Sequence, residues 1–392
     1  MAFTTFFYML LILSTTYVSA RCPEFSGSFI IQQDDLYPES AAWDPTTCRL
    51  YLRYAAVSQP TRVCCKLICP GSSMYNSTLA IYNPYTKSVD IANLPGISHP
   101  GTATYTEYHL DGVDYDAKSG YVYVAASSAS AFTSILKEED GTLATDYSNA
   151  NYTGPNHVVV FDPHTQRVVA DVDTSAAQRE YHRITGHLTN AFQDMAEIQS
   201  TGDSYAIATF GNSIVKISSG SYDARLWYAP SHYNKTYGFG GIVSIGDKLV
   251  ISDAISGGLV TFDTQHDHKP HPTYVPLQNL PSDYRPGNAD GLYLPQKYGG
   301  KVLLWSDDYN GTSVYGSDDG WTSAHFLGLI LNDDPKIEGG LTTDSFDIGD
   351  SIFILTQEFA FTLPAPKKHN FIFFDITAEV DEVVKGSFVD RE

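Results

Sequence analysis

Leu110-Asp111-Gly112-Val113-Asp114-Tyr115 leads into the apolar run Gly120-Tyr121-Val122-Tyr123-Val124. The same order returns in Ala289-Asp290-Gly291-Leu292-Tyr293-Leu294, which leads into Lys301-Val302-Leu303-Leu304-Trp305-Ser306. Each copy has an acidic or glycine-led start, then two apolar strands and a third strand that closes on Asn or Asp. Similar starts fall near residues 39, 111, 194, 241, 290 and 341. Repeated short strands at such intervals are typical of β-propellers. The sequence therefore predicts an all-β fold, a six-bladed β-propeller.

The two ends of the chain both contain strand patterns. Residues 27–32 form a strand pattern before the first blade, and residues 370–376 form the last one. We expect the N-terminal strand to complete the last blade, because a closed ring hides its open sheet edges. Helix signals are scarce. Residues 175–186 are the best candidate, and we expect the acidic tail beyond Glu379 to pack loosely.

The first twenty residues are typical of a signal peptide. An apolar run at 6–13 precedes the small residues of Val18-Ser19-Ala20, and this segment is too short to span a bilayer. No later stretch predicts a membrane span. Four Asn-x-Ser/Thr sequons suggest N-glycosylation: Asn76, Asn151, Asn234 and Asn310. We expect a protein that is secreted or held in a secretory vesicle, with residues 21–392 forming one propeller domain.

All five cysteines lie near the N-terminus: Cys22, Cys48, Cys64, Cys65 and Cys69. In an oxidising compartment an odd number leaves one thiol free or paired between chains. A bond from Cys22 to one of the other four would fix the N-terminal segment to the first blade. The 64–69 cluster lacks the paired CxxC motif and nearby histidines of a zinc site, so we favour disulfides.

The chain is acidic, with a net charge of −21 and a pI near 4.8. Runs of Lys or Arg are absent. Nucleic acid is therefore not expected as a partner, because no basic patch would neutralise its phosphates.

The sequence lacks the common catalytic motifs, including G-x-S-x-G, HExxH, the P-loop and GxGxxG in a strand–helix context. The informative residues are the acids at the blade starts: Glu39, Asp111, Asp194 and Asp290. We expect them to converge at the top of the central channel, joined there by residues at the ends of second strands: Asp253, Asp307 and Gln357. Such carboxylates can hold Ca²⁺ or another divalent ion, or act in acid–base catalysis on an apolar substrate. The structural alternative is that they cap turns.

A second candidate cluster lies at residues 181–187, where Arg183 and His187 could serve as carbonyl partners. Its alternative is a solvated helix end. Tyr293 and Trp305 are candidate aromatic residues of the substrate pocket, and their alternative is an ordinary place in the core.

Leu36-Tyr37-Pro38-Glu39-Ser40, Trp43-Asp44 and Leu79-Ala80-Ile81-Tyr82-Asn83-Pro84-Tyr85-Thr86 resemble the first blade of a fungal secreted propeller family. Its members include a skin-yeast allergen and a protein of trichothecene toxin clusters. Gly240-Gly241-Ile242 and Gly258-Leu259-Val260-Thr261-Phe262-Asp263 agree with this resemblance.

The resemblance implies a function in fungal secondary metabolism. Related propellers are cofactor-independent cyclases, among them hetero-Diels–Alderases that join a tropolone-derived o-quinone methide to a humulene-type sesquiterpene. The allergen branch binds lipids, and the more distant gluconolactonase-type propellers hold a metal through Glu, Asn and Asp. Glu39 matches the first of these ligands, but the Asn ligands have no match here.

We therefore predict a cofactor-free cyclase that forms a dihydropyran from a small apolar terpenoid or polyketide-derived substrate. Glu39, Asp111, Asp194 and Asp290 are its candidate pocket acids. The alternatives are a non-enzymatic binder of lipids or small molecules and a metal-dependent lactonase.

Overall fold

A computed structural model describes residues 22–34, 36–55, 77–99, 108–128, 135–137, 143–145, 154–232, 238–266, 270–282, 284, 289–307, 310–331, 341–357 and 368–389. The predicted signal peptide, three of the cysteines and three of the sequon asparagines lie outside these residues: 1–20, Cys64, Cys65, Cys69, Asn76, Asn151 and Asn234.

Six antiparallel sheets form the six blades. Blade 1 contains β2 (Ala41–Asp44), β3 (Arg49–Ala55), β4 (Ser77–Asn83) and β5 (Ser88–Ala92). Blade 2 contains β6 (Tyr108–Asp116), β7 (Tyr121–Ser128), β10 (His157–Asp162) and β11 (Arg167–Asp173), and a separate hairpin, β8 (Ile135–Lys137) and β9 (Leu143–Thr145), lies between its second and third strands. Blade 3 contains β12 (Asn190–Ile198), β13 (Asp203–Phe210), β14 (Ser213–Ile217) and β15 (Ala224–Tyr228).

The other three blades follow the same plan. Blade 4 contains β16 (Phe239–Ile245), β17 (Lys248–Asp253), β18 (Gly258–Asp263) and β19 (Thr273–Val275). Blade 5 contains β21 (Ala289–Tyr293), β22 (Val302–Asp307), β23 (Gly311–Gly316) and β24 (Ala324–Leu331), and the short β20 (Leu277–Gln278) pairs in parallel with β24. Blade 6 contains β25 (Leu341–Ile348), β26 (Ser351–Gln357), β27 (Asn370–Asp375) and β1 (Phe29–Gln32).

The N-terminal strand closes the ring as predicted. β1 pairs with β27 in the register Phe29↔Phe373 to Gln32↔Asn370, so the two ends of the chain share blade 6. A Cys22–Cys48 disulfide fixes the N-terminal segment to the β2–β3 turn, in agreement with the expected link from Cys22 to the first blade.

The core lies between the blades, and alternation along each strand explains why. In β7, Val122 and Val124 pack toward blade 1, whereas Tyr123 and Ala125 pack toward blade 3. Both faces of a central strand are therefore buried. Because burying one large apolar side chain contributes about 1.5–3 kcal/mol, these interfaces hold the ring together.

Two α-helices of the described part of the chain lie outside the sheets. The helix α1 (Ser175–Thr185) matches the predicted one and ends at Gly186, a left-handed residue. The helix α2 (Thr377–Val389) differs from the expected loose tail, because Val380 and Val384 are buried against blades 5 and 6. Neither helix in the described part of the chain has the length and apolarity to cross a membrane.

Candidate functional site

The innermost strands of blades 2–6 each carry a β-bulge where the sequence places the blade starts. In β6 the pairing is interrupted between Leu110 and Val113, and in β21 between Ala289 and Leu292. A bulge redirects side chains at the end of a strand. Asp111 and Asp290 occupy the first bulge position and are followed by glycines at the second.

The glycines at the second position allow neighbouring blades to approach closely. A Cβ added to Gly112 would lie 2.8 Å from the Asp194 Cα, and one added to Gly291 would lie 2.5 Å from the Asp344 Oδ1. The second bulge positions therefore form a tight inner ring in which Asp194 and Asp344 correspond to these glycines.

Five residues form a cluster at one end of this ring, here called the upper cluster: Glu39, Arg53, His109, Asp111 and Asp290. Glu39 precedes β2, and Arg53 lies beside it on β3, where its backbone N–H faces the Ser40 carbonyl. The Arg53 guanidinium forms an ion pair with Glu39. Inner strands from blades 2 and 5 contribute the other members.

His109 connects the two sides of the upper cluster. Its Nε2 lies 2.7 Å from Asp111 Oδ1 and 3.1 Å from Glu39 Oε2. Its Nδ1 lies 2.9 Å from Arg53 Nη2. A guanidinium can only donate, so Nδ1 accepts and the imidazole proton lies on Nε2. Arg53 therefore fixes His109 as a neutral donor toward the two carboxylates.

The members of the upper cluster differ in solvent exposure, with three buried residues and two that are slightly exposed. Arg53, His109 and Asp111 are 0%, 3% and 1% exposed, whereas Glu39 and Asp290 retain 9% and 8%. Burial lowers the pKa of Arg53 to about 10, and the charges of Asp111 and Asp290 oppose that shift. Only Glu39 and Asp290 thus present an accessible edge to a ligand, with the other three behind them.

The composition of the upper cluster suggests a metal site, since ligand atoms of Glu39, His109 and Asp111 lie within 4.8 Å of one another. Arg53 argues against that use. A neutral histidine that binds a metal through Nε2 carries its proton on Nδ1, and here that proton would point at the Arg53 donor. The guanidinium charge would also repel the ion. These residues therefore do not fit a resident divalent cation.

The sequence grouped Asp194 with Asp111 and Asp290, but Asp194 occupies the second bulge position of its strand, whereas the other two occupy the first. Its Oδ2 accepts a hydrogen bond from the Ile242 N–H of blade 4 at 2.9 Å, and its Oδ1 accepts from Met195 N–H at 2.8 Å. Asp344 has the same place in blade 6, where its Oδ2 accepts from Ser40 Oγ at 3.2 Å. Both carboxylates join one blade to the next.

Asp114 extends this second group, here called the axial carboxylates: Asp114, Asp194 and Asp344. All three are partly exposed although protein surrounds them, which places them along the propeller axis. Burial raises the pKa of each, and that of Asp344 reaches about 7. Asp114 also pairs with the buried Glu197, whose pKa burial raises well above its usual value.

Two of the predicted pocket acids lie at the ends of second strands, paired with residues of the inner strands next to the bulges. Asp307 pairs in register with Ala289, next to Asp290, and it accepts hydrogen bonds from Asn310. Asp253 pairs with Phe239 and has Asn212 Nδ2 at 3.4 Å. The backbone of Gln357 pairs with Leu341 at the corresponding end of blade 6, and its side chain lies outside the described part.

The aromatic candidates have other surroundings. Trp305 is 1% exposed and packs in the core between blades 4 and 5. The Tyr293 hydroxyl accepts a hydrogen bond from the Asp347 N–H at 3.1 Å, near the opposite end of β25 from the upper cluster. Trp305 is therefore a core residue, which was the structural alternative to a place in the substrate pocket.

The structure does not bring Arg183 to the carboxylates. The helix α1 packs against β15, the outermost strand of blade 3. Arg183 is exposed there and forms a bidentate pair with Glu180 at 2.6 and 2.7 Å. His187 is exposed just beyond the helix, where its carbonyl lies 3.1 Å from His182 Nδ1.

Sequence reasoning missed Arg53 and His109. Each is a polar residue inside an otherwise apolar strand, Leu50-Tyr51-Leu52-Arg53-Tyr54 and Tyr108-His109-Leu110. A buried charge needs a partner. A single polar residue within an apolar strand therefore indicates a buried polar contact, and this pattern could have identified both residues. Asn310 is the one sequon asparagine within the described residues, and it is exposed.

No family model matches the chain. It is 26% identical over 376 residues to trichothecene biosynthesis protein 14 of Trichoderma arundinaceum, covering 93% of this chain and 92% of that protein. It is 25% identical over 368 residues to core trichothecene cluster protein 14 of Fusarium sporotrichioides, covering 91% and 86%.

Solved structures share the fold. The Malassezia sympodialis allergen Mala s 1 matches with a TM-score of 0.68 at 16% identity, covering 90% of this chain and 96% of that one. A Trypanosoma rangeli sialidase matches with a TM-score of 0.54 at 9% identity, covering 90% and 56%. These likenesses support the propeller architecture and carry no argument about chemistry.

Proposed function

We propose that this chain, which is similar to a trichothecene biosynthesis protein and a core trichothecene cluster protein and shares its fold with a yeast allergen, is a cofactor-independent cyclase of fungal secondary metabolism that closes a pyran ring. One relative is named for trichothecene biosynthesis and the other for the core trichothecene cluster, which supports a place in secondary metabolism. The observation that carries the proposal is the upper cluster, where two accessible carboxyl groups lie in front of a fixed Arg–His–Asp support.

Glu39 and Asp290 are the residues that touch the substrate in this proposal. Glu39 accepts from both Arg53 and His109, so it is held in place as an acceptor and suits the role of base. Asp290 is the other accessible carboxyl group of the cluster, and in this proposal it supplies a proton. Arg53, His109 and Asp111 are positioning residues, because they are buried behind the accessible pair.

In its specific form the reaction is a dehydration followed by a hetero-Diels–Alder addition. The C–O bond of a hydroxymethyl group beside an enol breaks, and its oxygen leaves as water with a proton from Asp290. The enol proton passes to Glu39, which gives a neutral o-quinone methide. A C–C and a C–O bond to the alkene of a humulene-type partner then form the dihydropyran, with no atom lost. Holding both partners in reacting geometry lowers the barrier to this step.

The first test is metabolite profiling of the producing organism with and without the gene. Loss of one cyclised product, with accumulation of its uncyclised precursor, supports the proposal. An unchanged profile contradicts it and favours a binding protein. On purified protein we expect Glu39→Gln and Asp290→Asn to lower the cyclisation rate by about 10²–10⁴, the usual contribution of a positioned acid or base.

Glu180→Gln is the matched control. It makes the same chemical change in an exposed carboxylate that also pairs with an arginine, and it should leave the rate unchanged. Full activity in both Glu39→Gln and Asp290→Asn would remove the upper cluster from the mechanism.

A further inference from the structure

We propose that Gln193 is a further substrate-binding residue of this site, and that its carboxamide donates a hydrogen bond to a carbonyl oxygen of a neutral substrate. This inference rests on the proposed function and deepens it, because it names the chemical group that the same site recognises. It follows from the place of Gln193 in the inner ring and from the hydrogen bonds that its side chain leaves unused.

Gln193 has the position in blade 3 that Asp111 and Asp290 have in blades 2 and 5. The bulge of β12 falls between Phe192 and Asp194. Gln193 therefore takes the first bulge position of this strand, and Asp194 takes the second. The inner strand of blade 3 also contacts the inner strands of both neighbouring blades, 2 and 4.

Close contacts between the blades support this alignment. A Cβ added to Gly112 would lie 3.1 Å from the Gln193 carbonyl oxygen, and one added to Gly241 would lie 2.7 Å from the Asp290 carbonyl oxygen. In both cases a glycine at the second bulge position of one blade faces the first bulge position of the next. Gln193 therefore lies at the same level of the ring as Asp290, directly beside the bulge that contains Asp111.

The Gln193 side chain is the most accessible one at this level. It is partly exposed, whereas the other side chains at the first bulge positions of β-bulges are buried: Asp111, Asp290 and Thr343. Blade 4 has Gly240 at this position and contributes no side chain. A ligand at this end of the ring therefore meets the Gln193 carboxamide as well as the accessible edge of Asp290.

The carboxamide is not engaged by the protein around it. Gln193 Oε1 lies 3.4 Å from Thr209 Oγ1, but that hydroxyl donates its single proton to the Phe239 carbonyl at 2.7 Å. Within the described structure no group accepts a hydrogen bond from Gln193 Nε2. The N–H groups of the carboxamide are therefore available to a ligand.

A neutral donor at this place complements the acid and the base of the proposed reaction. When the enol proton passes to Glu39, the enol oxygen becomes the carbonyl oxygen of the o-quinone methide. Electron density moves onto that oxygen as the alkene approaches, and an N–H donor fixed beside it stabilises this charge. Gln193 is uncharged and keeps its protons throughout, so it acts by hydrogen bonding alone.

Two inert, uncharged probes with one rigid skeleton test the inference. 2-Adamantanone carries a carbonyl oxygen, and 2-methyleneadamantane has a CH₂ group in its place. Equilibrium dialysis at pH 7 gives the affinity of each probe for the purified protein, and the ratio of the two affinities measures the preference for the carbonyl oxygen. We expect Gln193→Met to lower this ratio by about threefold to tenfold, since one hydrogen bond contributes on this order.

Two further variants separate the hydrogen bond from packing. Gln193→Glu keeps the size of the side chain but replaces its N–H donor with a carboxylate oxygen, so it should lower the ratio as Gln193→Met does. Gln199→Met is the matched control. Gln199 is exposed just beyond the other end of β12, where it donates to Asp116 at 3.3 Å, and its replacement should leave the ratio unchanged.

An unchanged ratio in either Gln193 variant, an equal loss in Gln199→Met, or undetectable binding of the ketone would overturn the inference. Because the probes do not react, the expected fall in the ratio for a protein that forms no cyclised product would refute the proposed function alone. Cyclisation by the unmodified protein, with a ratio that the Gln193 variants leave unchanged, would refute the inference alone.

Discussion

The upper cluster and the axial carboxylates share only the inner strand β6, and they differ in how their buried charges are stabilised. In the upper cluster, Arg53 and His109 face the carboxylates, and the outer edge remains accessible. In the axial group, Asp194 and Asp344 accept backbone and hydroxyl hydrogen bonds from the next blade, and burial raises their pKa values. A shift of one position at a bulge thus separates a candidate reactive site from a structural link.

The largest predicted effect concerns the cation of the upper cluster. Arg53→Met should lower the free energy of unfolding by about 3–5 kcal/mol, because it leaves buried carboxylates without their partner. Denaturant unfolding followed by circular dichroism measures the change. Arg183→Met removes the exposed counterpart and should leave the midpoint unchanged. Equal losses in the two variants would mean that the upper cluster is not held by Arg53.

The second prediction tests the close approach of the blades at the inner ring. Gly291→Ala should destabilise the fold by about 1–3 kcal/mol, because the new Cβ would meet the Thr343 carbonyl at 2.8 Å and the Asp344 carboxylate at 2.5 Å. Gly258→Ala is the control, since its Cβ would have no neighbour closer than 3.9 Å. A thermal melt of each variant is sufficient. Similar melting temperatures of the two variants would indicate that the inner ring can accommodate an additional Cβ at residue 291.

The third prediction separates the two groups by pH. The folded-state pKa of Asp344 is raised to about 7, so folding favours its protonated form. Its contribution to stability is therefore fully present below pH 4 and is lost as the pH rises toward 7. Asp344→Asn should remove this loss and stabilise the protein at pH 8 by about 1–2 kcal/mol, less than the full linkage energy because Asn accepts fewer hydrogen bonds.

Melting temperatures of both proteins between pH 4 and pH 8 measure the effect. The difference between Asp344→Asn and the unmodified chain should grow with pH, and Glu180→Gln should follow the unmodified chain throughout. A difference that is constant across this range would show that Asp344 does not ionise there.

The smallest effect is expected at Thr343, which occupies the first bulge position in blade 6. Its Oγ1 is buried and forms no hydrogen bond within the described structure. Thr343→Val should change the free energy of unfolding by less than about 1 kcal/mol, in the stabilising direction, because it removes an unsatisfied hydroxyl. Clear destabilisation in chemical unfolding would reveal a polar partner for this side chain.

Much of the fold could be predicted from the sequence because strand patterns are local. Alternating apolar residues such as those of β7 encode strands with two buried faces, and residues 27–32 supply the strand that a closed ring requires. The helix at 175–185 and the link from Cys22 to the first blade also follow from short segments.

The candidate site was only partly predictable. Glu39, Asp111 and Asp290 stand out because each begins a blade, but Asp194 has the same appearance and a different place. Asp111 and Asp290 precede a glycine and then an apolar residue, whereas Asp194 directly precedes Met195. That one-residue offset decides which way the carboxylate points, and it becomes clear only when the bulges are aligned.

The sequence by itself determined the number of blades, the closure of the ring and the acids at the blade starts, since these depend on patterns within a few tens of residues. Only the tertiary structure decided that Arg53 and His109 complete the upper cluster. They lie 56 residues apart on neighbouring blades, and they meet because burial of the apolar faces between blades brings the inner strands to a common axis. It also decided that α2 docks on blades 5 and 6, because Val380 and Val384 have an apolar surface to cover only after the ring has closed.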